Sequence, residues 1–211
     1  MAVPFPIREI EMNQRQFWKE MAVVTLSTAM IGAATCGYVR AGLGSDAVAL
    51  FNEGLSGFAG VSLGTAAWML NLVMLAIALV LNRKDLGWTT IYNCALCGAF
   101  IDLADWALDP ILTLSTSLAF RWLLMFGSMA LVAGSCALMM RYCKGMTPND
   151  AVTTGVAKRF GCSFRVVRVS LDGLLMVTGF LMGGVVGLGS VVAVFGTGPM
   201  IQFFHQFGRK K

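Results

Sequence analysis

Long apolar runs, separated by short polar segments, dominate the hydropathy pattern of this chain. A helix that crosses the hydrocarbon core of a bilayer needs roughly 20 apolar residues. The runs are continuous rather than alternating, which favours helices over the strands of a membrane barrel. Six runs are long enough, at about 20–39, 62–82, 88–107, 118–140, 164–184 and 189–207. The pattern therefore predicts an all-α, polytopic membrane bundle of six transmembrane helices.

The composition supports this prediction. Hydrophobic residues make up 57% of the 211 residues and charged residues only 13%, whereas an ordinary soluble domain carries about 25% charged residues. A soluble globular enzyme and a disordered chain are therefore excluded. The sequence has no recognisable nucleophile–base pair, nucleotide loop or metal-ligand cluster, so we expect no enzymatic activity, cofactor or metal. The expected partners are the lipid bilayer and a small-molecule or ion substrate, not nucleic acid.

The positions of the basic residues predict the orientation in the membrane. When the N-terminal segment 1–19 is placed in the cytoplasm, only Arg40 and Arg121 among the 16 Lys and Arg residues fall outside. Such asymmetry is the positive-inside pattern. An even number of spans keeps the basic tail 208–211 on the same side as the N-terminus. We therefore expect a multi-pass protein of the bacterial cytoplasmic (inner) membrane with both termini in the cytoplasm.

An internal repeat becomes visible when the sequence is shifted by about 101 residues. Similar residues recur in the same order, with a few residues inserted before the third match: Ala29/Ala33 with Ala130/Gly134, Arg40 with Arg141, Asp46-Ala47-Val48 with Asp150-Ala151-Val152, Gly60/Ser62 with Gly161/Ser163, and Asn71 with Asp172. Each half, 20–109 and 118–207, contains three predicted spans, so the second half enters the membrane from the opposite side. The prediction is a 3+3 inverted repeat, which is common in secondary transporters with a midplane substrate site.

Each half also contains a connector with helical character, at 45–58 and 149–160. Asp46 and Asp150 lie near the starts of these helices and are expected to cap free backbone N–H groups. Ligand contact is the alternative role for both aspartates. The pattern leaves open whether the connectors lie on the membrane surface or re-enter the membrane.

Small residues form stripes at four-residue spacing on the first and fourth spans: Thr25, Ala29, Ala33 and Gly37, and Ala130 with Gly134. Such stripes allow two helices to approach closely. We expect the first and fourth spans to pack together, and a homodimer interface is the alternative.

Polar residues inside the predicted spans need a partner or a function, because a charge near the bilayer centre costs about 2.5 to 3.5 kcal/mol. Asp172 lies in the middle of the fifth span, and Arg168 precedes it by one helical turn on the same face. The two residues form either an internal ion pair or a substrate or proton site. Five more candidates for substrate or ion binding are Asn71, Asp102, Glu53, Asn93 and Gln202. An interhelical hydrogen bond is the alternative role for Asn93, and simple solvation for Glu53.

Three glycine-rich motifs carry a resemblance to a known family: Gly42-Leu43-Gly44-Ser45-Asp46, Gly60-Val61-Ser62-Leu63-Gly64-Thr65, and Gly187-Leu188-Gly189 followed by Gly198-Pro199-x-Ile201. In this order they resemble the YczE/YitT-type family of bacterial integral membrane proteins. Its members are described as multi-span transporters without a settled substrate, so the resemblance implies transport. The chain ends soon after its last span, and this lack of a C-terminal soluble domain favours the YczE-like branch.

These features together predict a secondary transporter or permease for a small polar or charged solute. One alternative is a substrate-binding membrane subunit, because the length and span number also resemble energy-coupling-factor S components. A channel or an accessory membrane protein is the other alternative.

Overall fold

The computed structural model describes residues 14–81, 83, 86–112, 117–142, 147–193, 196 and 200. Seven helices are formed in these segments: α1 Gln14–Ala41, α2 Ala47–Ala59, α3 Leu63–Leu81, α4 Trp88–Leu112, α5 Leu118–Tyr142, α6 Pro148–Phe160 and α7 Phe164–Leu181. Residues 188–193 are also helical, and the described segments contain no strand. The prediction of an all-α fold is confirmed.

Four helices, α1, α3, α4 and α5, are long and apolar enough to cross a membrane among the described residues. They correspond to the first four predicted spans. The fifth predicted span corresponds to α7, whose 18 residues include Arg165, Arg168 and Asp172, and these charges keep it out of the apolar set. The sixth predicted span lies largely outside the described residues. The chain thus has the helices of a membrane-embedded protein, and the count of six spans stays a prediction.

Four helix ends recur at a separation of 101 residues. The matched ends are Ala41 with Tyr142, Ala47 with Pro148, Ala59 with Phe160, and Leu63 with Phe164. This register needs no inserted residues, so the expected insertion before Asp150 is wrong. The N-cap residue of α2, Asp46, corresponds to Thr147, the N-cap residue of α6. The register that the shared Asp-Ala-Val triplet suggests differs from this one by three residues.

Local signals at both ends define the two short helices, α2 and α6. The Asp46 carboxylate accepts a hydrogen bond from the backbone N–H of Ala49 at 2.9 Å, as expected of an N-cap residue. Each helix ends at a glycine, Gly60 or Gly161, with φ of 66° or 65°. Glycine adopts this left-handed conformation without the strain that a Cβ would cause. With 13 residues each, the helices are about 20 Å long, shorter than a hydrocarbon core of about 30 Å.

Close contacts through glycine organise the packing. The principal pairs are α1 with α5, α1 with α4, α2 with α7, α3 with α4 and α3 with α6. The expected packing of the first span on the fourth is therefore confirmed. Gly37 of α1 lies so near α5 that a Cβ would meet Ser128 Oγ at 2.2 Å, and a Cβ on Gly54 of α2 would meet the carbonyl oxygen of Gly179 in α7 at 2.3 Å.

The two short helices begin in the interior of the bundle. Ala47 in α2 and Ala151 in α6 belong to one buried apolar cluster, together with Met74 of α3 and Leu175 of α7. Ser45, which directly precedes the N-cap of α2, is only 1% exposed. The start of α2 is therefore enclosed by other helices, and the start of α6 is partly enclosed.

Candidate functional site

Arg168 in α7 links two carboxylates from different helices. Its Nη1 pairs with Oδ1 of Asp150 in the first turn of α6. Its Nε donates a hydrogen bond to Oδ2 of Asp172 at 3.2 Å. Thr147 Oγ1 donates to the other oxygen of Asp150 at 2.8 Å. A continuous row of polar contacts therefore runs from the start of α6 through Arg168 to the middle of α7.

Asp46 adds a third carboxylate to this group. It lies within electrostatic range of both Arg168 and Asp172. The thiol of Cys136 in α5 is within the same range of Asp46, Asp150 and Arg168. The four charged residues, which we call the ion cluster, are Asp46, Asp150, Arg168 and Asp172. The ion cluster lies at the starts of α2 and α6 and on α7, and α7 packs on both short helices.

The ion cluster is only partly covered by protein. The exposed fractions of the side chains of Asp150, Arg168 and Asp172 are 26%, 35% and 27%. Charged groups within a membrane bundle usually face a partner or a water-filled cavity rather than lipid. About a quarter to a third of each of these three side chains is therefore left uncovered by the described residues.

Neutral residues occupy the corresponding positions in the other half of the chain. At a separation of 101 residues the pairs are Asp46 with Thr147, Ala49 with Asp150, Ala67 with Arg168, and Asn71 with Asp172. Ala49 and Ala67 are almost completely buried. Since α2 and α3 form with these neutral residues, the helix arrangement itself does not require charges at the equivalent positions.

The structure assigns the expected capping role of Asp150 to a different residue. Thr147 is the N-cap of α6, and its Oγ1 accepts a hydrogen bond from the backbone N–H of Asp150 at 3.2 Å. Pro148 follows at the first helical position, where its missing N–H costs nothing. The sequence Thr-Pro-x-Asp is close to a capping box, and this signal could have identified the cap. Asp150 instead provides a carboxylate for Arg168.

Asn71 and Asn93 make hydrogen bonds away from the ion cluster. Asn71 Nδ2 donates to the carbonyl oxygen of Ala67 on its own helix at 2.9 Å. Asn93 Nδ2 donates to Thr28 Oγ1 at 2.9 Å, a buried contact between α4 and α1. The bond of Asn93 connects two helices and that of Asn71 lies within one helix, and any contact of the two amides with a solute stays a prediction.

Asp102 and Glu53 bind free backbone N–H groups. Asp102 accepts hydrogen bonds from Gly64 N at 2.8 Å and Ser62 Oγ at 2.9 Å, at the start of α3. Glu53 accepts one from Val185 N at 3.3 Å. Neither is joined to the ion cluster by an ion pair or hydrogen bond among the described residues, and a solute-binding role for either stays a prediction. Gln202 lies outside the described residues.

A second ionic group connects the C-terminal parts of α1 and α4. Arg40 pairs with Asp105 at 2.9 Å and with Asp109 at 2.5 Å. Arg121 of α5 donates to the carbonyl oxygens of Ala41 and Gly42, at 2.5 and 2.7 Å, and so satisfies the end of α1. These contacts join helix ends, and they provide matched controls for experiments on the ion cluster.

No group of three or more His, Cys, Asp or Glu side chains with the arrangement of a metal site occurs in the described segments. Cys94 and Cys97 are buried, free thiols in α4. Their Cys-x-x-Cys spacing therefore carries no disulfide here.

Fold and site together define an all-helical, membrane-type protein with charged residues at the starts of two short interior helices. Residues 18–206 match the model of a family described as "Family of unknown function (DUF6198)", and the chain belongs to this family. The chain is similar to an uncharacterized protein of Haemophilus influenzae, with 27% identity over 187 residues that cover 89% of this chain and 84% of the relative. No solved structure matches it.

Proposed function

We propose that the protein is a secondary transporter or permease that binds a small polar or charged solute at the ion cluster. One observation carries the proposal: Arg168 joins carboxylates of α6 and α7 beside the enclosed start of α2. The glycine motifs that resemble the YczE/YitT-type family, whose members are described as transporters, agree with it.

The proposed architecture is six spans in a 3+3 inverted repeat, with α2 and α6 as re-entrant helices. The common separation of four helix ends supports it. A twofold relation between the halves would exchange the pair α2–α7 with the pair α6–α3, and both pairs are in contact. The same relation exchanges α1 with α5, which pack on each other. Each short helix thus packs on a long helix of the opposite half.

The site is proposed at the ion cluster because short helices that begin within a membrane present free N–H groups to a solute. Non-helical backbone is tolerated at such depth where it is buried or lines a cavity. Asp46 belongs to the first half, whereas Asp150, Arg168 and Asp172 belong to the second. A solute held among them would contact both halves, as alternating access by rocking of the halves requires.

A flux assay tests the transporter proposal. The purified chain alone is reconstituted into proteoliposomes, and uptake of a panel of radiolabelled cationic, anionic and zwitterionic solutes is measured. We expect saturable uptake of at least one solute, and we expect the Asp172→Asn variant to lose it. Asp105→Asn is the matched control, because it makes the same chemical change in the second ionic group, where Arg40 keeps Asp109 as a partner.

Three outcomes would contradict the proposal in different ways. Saturable binding without uptake by the chain alone would favour a substrate-binding subunit that needs energising partners. Non-saturable flux would favour a channel. Uptake that survives Asp172→Asn would remove the ion cluster from the transport path.

Orientation is tested separately by cysteine labelling. The proposed topology, with both termini in the cytoplasm of a bacterial inner membrane, places the α4–α5 connection outside and the α6–α7 connection inside. Single-cysteine variants at Ser117 and at the native Cys162 are exposed reporters of these connections. A membrane-impermeant thiol reagent added to intact cells should label the cysteine at position 117 and spare Cys162. The reverse result would overturn the topology.

A further inference from the structure

The connection between α6 and α7 is basic and exposed. Lys158 and Arg159 lie in the last turn of α6, and Arg165 is the second residue of α7. All three residues are exposed. Arg159 and Arg165 make no ion pair or hydrogen bond with another residue of the described segments, and the sequence from 151 to 171 contains no Asp or Glu. Residues 158–166, which we call the basic turn, therefore present uncompensated positive charge at one end of the bundle.

Arg165 stands at an electrostatically unfavourable place in its helix. The N-terminus of a helix is positive, so acidic residues stabilise the first turn and basic residues do not. The first turn of α7 contains no acidic residue that could offset the charge of Arg165. The positive end of α7 therefore adds to the charge of the basic turn, and an anion from outside the chain would relieve both.

The equivalent turn in the first half is uncharged. At a separation of 101 residues, residues 57–64 correspond to 158–165, and they contain no Lys, Arg, Asp or Glu. The two turns share their backbone conformation, because Gly60 and Gly161 both have φ near 65°. Since the uncharged turn forms in the same way, the fold of the turn does not require the basic residues. They distinguish one face of the membrane from the other.

Exposed aromatic rings accompany the charges of the basic turn. Phe160 is 69% exposed and Phe164 is 47% exposed, on either side of Gly161. At the membrane surface, long basic side chains extend towards the headgroups while apolar groups stay among the acyl chains. A free phosphate ion would pair with the guanidinium groups but would leave both rings in water. The combination of charges and rings therefore fits a phospholipid, which has an anionic headgroup and acyl chains in one molecule.

We propose that the basic turn is an interaction surface for an anionic phospholipid. Arg159 and Arg165 pair with the phosphate of the headgroup, and Phe160 and Phe164 lie among the acyl chains. The lipid supplies the negative charge that the basic turn lacks. This inference goes beyond the proposed function. The proposed orientation decides only the leaflet, which is the cytoplasmic one when the α6–α7 connection lies inside.

The test is lipid-dependent thermal stability of the purified full chain in a neutral detergent. Phosphatidylglycerol is titrated in parallel with phosphatidylcholine of the same acyl chains and with inorganic phosphate, all at equal ionic strength. A ligand that binds the folded state raises the melting temperature. We expect phosphatidylglycerol to raise it saturably, at concentrations where phosphatidylcholine and inorganic phosphate do not.

Variants locate the effect on the protein. A basic residue near an anionic lipid surface contributes a factor of about five in affinity. Arg165→Gln should therefore weaken the apparent affinity for phosphatidylglycerol about fivefold, and Arg159→Gln combined with Arg165→Gln should weaken it about 25-fold. The matched control is Arg141→Gln, which removes the same charge from an exposed residue in the last turn of α5 and should leave the affinity unchanged.

Without lipid, Arg165→Gln should melt at the same temperature as the wild type or higher, because it removes a cation from the positive end of α7. A lower melting temperature would overturn the proposal, since Arg165 would then serve the fold. Equal stabilisation by phosphatidylcholine, an equal effect of inorganic phosphate, or an equal loss of affinity in Arg141→Gln would overturn it too. A chain that binds phosphatidylglycerol as expected but takes up no solute would refute the transporter and leave the lipid surface.

Discussion

Replacing Arg168 with glutamine should destabilise the protein, because it leaves the carboxylates of the ion cluster without their counter-charge. Arg168 makes two charge-assisted hydrogen bonds, one to Asp150 on α6 and one to Asp172 on its own helix. Each such bond is worth about 1.5 to 3 kcal/mol when buried. The bond to Asp172 connects residues one turn apart, and exposed pairs of this kind are worth only about 0.5 kcal/mol.

The side chains keep 26% to 35% of their exposure, so the full buried values do not apply. We expect Arg168→Gln to lower the free energy of unfolding by about 2 kcal/mol, with most of the loss coming from the contact with Asp150. The assay is thermal unfolding in detergent, followed by circular dichroism. The loss should shrink as the pH falls from about 8 to about 5, because protonation of the carboxylates removes their repulsion.

A double variant provides the matched control for this prediction. Arg168→Gln combined with Asp150→Asn removes the charge on both sides of the interhelical contact. It should be more stable than Arg168→Gln alone, because no additional unpaired carboxylate is left at the start of α6. If Arg168→Gln is as stable as the wild type, or if its stability does not depend on pH, the reasoning about the ion cluster is refuted.

Two further variants test the helix contacts. Gly179→Ala should lower the free energy of unfolding by about 1 to 3 kcal/mol, because its Cβ would lie 2.8 Å from Cα of Phe51 in α2. A Cβ on Gly173 of the same helix meets nothing within 4 Å, so Gly173→Ala should be neutral or stabilising. Equal melting temperatures for the two variants would contradict the close packing of α2 on α7. Thr147→Ala should lower the free energy of unfolding by about 1 kcal/mol through loss of the N-cap, whereas Thr147→Ser should keep the N-cap and the stability. A similar loss of stability in both variants would show that the hydroxyl does not stabilise the start of α6.

Hydropathy predicted the long helices well, because α1, α3, α4 and α5 are defined by apolar length alone. The short helices were also predicted near their true bounds, since Gly60 and Gly161 are strong stop signals. The register between the halves was harder to predict. The triplet Asp-Ala-Val occurs in both halves at positions that differ by three residues from the structural match. Similar residues can recur by chance, whereas the helix caps fix the register physically.

The ion cluster was only half predictable for a similar reason. Arg168 and Asp172 are one turn apart on a single helix, so their pairing follows from helical spacing. The contact of Arg168 with Asp150 depends on how α6 packs beside α7, and no local pattern contains that information. Asn71, Asp102, Glu53 and Asn93 were equally conspicuous as polar residues, but in the structure they bind backbone groups or a neighbouring helix. Polarity within an apolar run therefore identifies candidates, and packing decides which of them meet.

The difference between the two halves leads to the strongest test of whether the ion cluster serves function or folding. Each of its residues can be replaced by its counterpart in the other half, in one variant: Asp46→Thr, Asp150→Ala, Arg168→Ala and Asp172→Asn. Removing all four charges together leaves no unpaired ion. Replacement of buried ion pairs by uncharged residues often leaves the stability unchanged or raises it by about 1 to 4 kcal/mol.

We therefore expect the fourfold variant to fold, to unfold at a higher temperature than Arg168→Gln alone, and to lose saturable uptake. Truncation of the Arg168 stem will offset part of the gain, because its methylene groups also pack against neighbouring residues. If the ion cluster holds the helices together, the result must differ: the fourfold variant would then be less stable than the single variant, since it loses every contact that the single variant keeps. A fold that survives without these four charges would therefore support the proposal that they serve a solute rather than the packing of the helices.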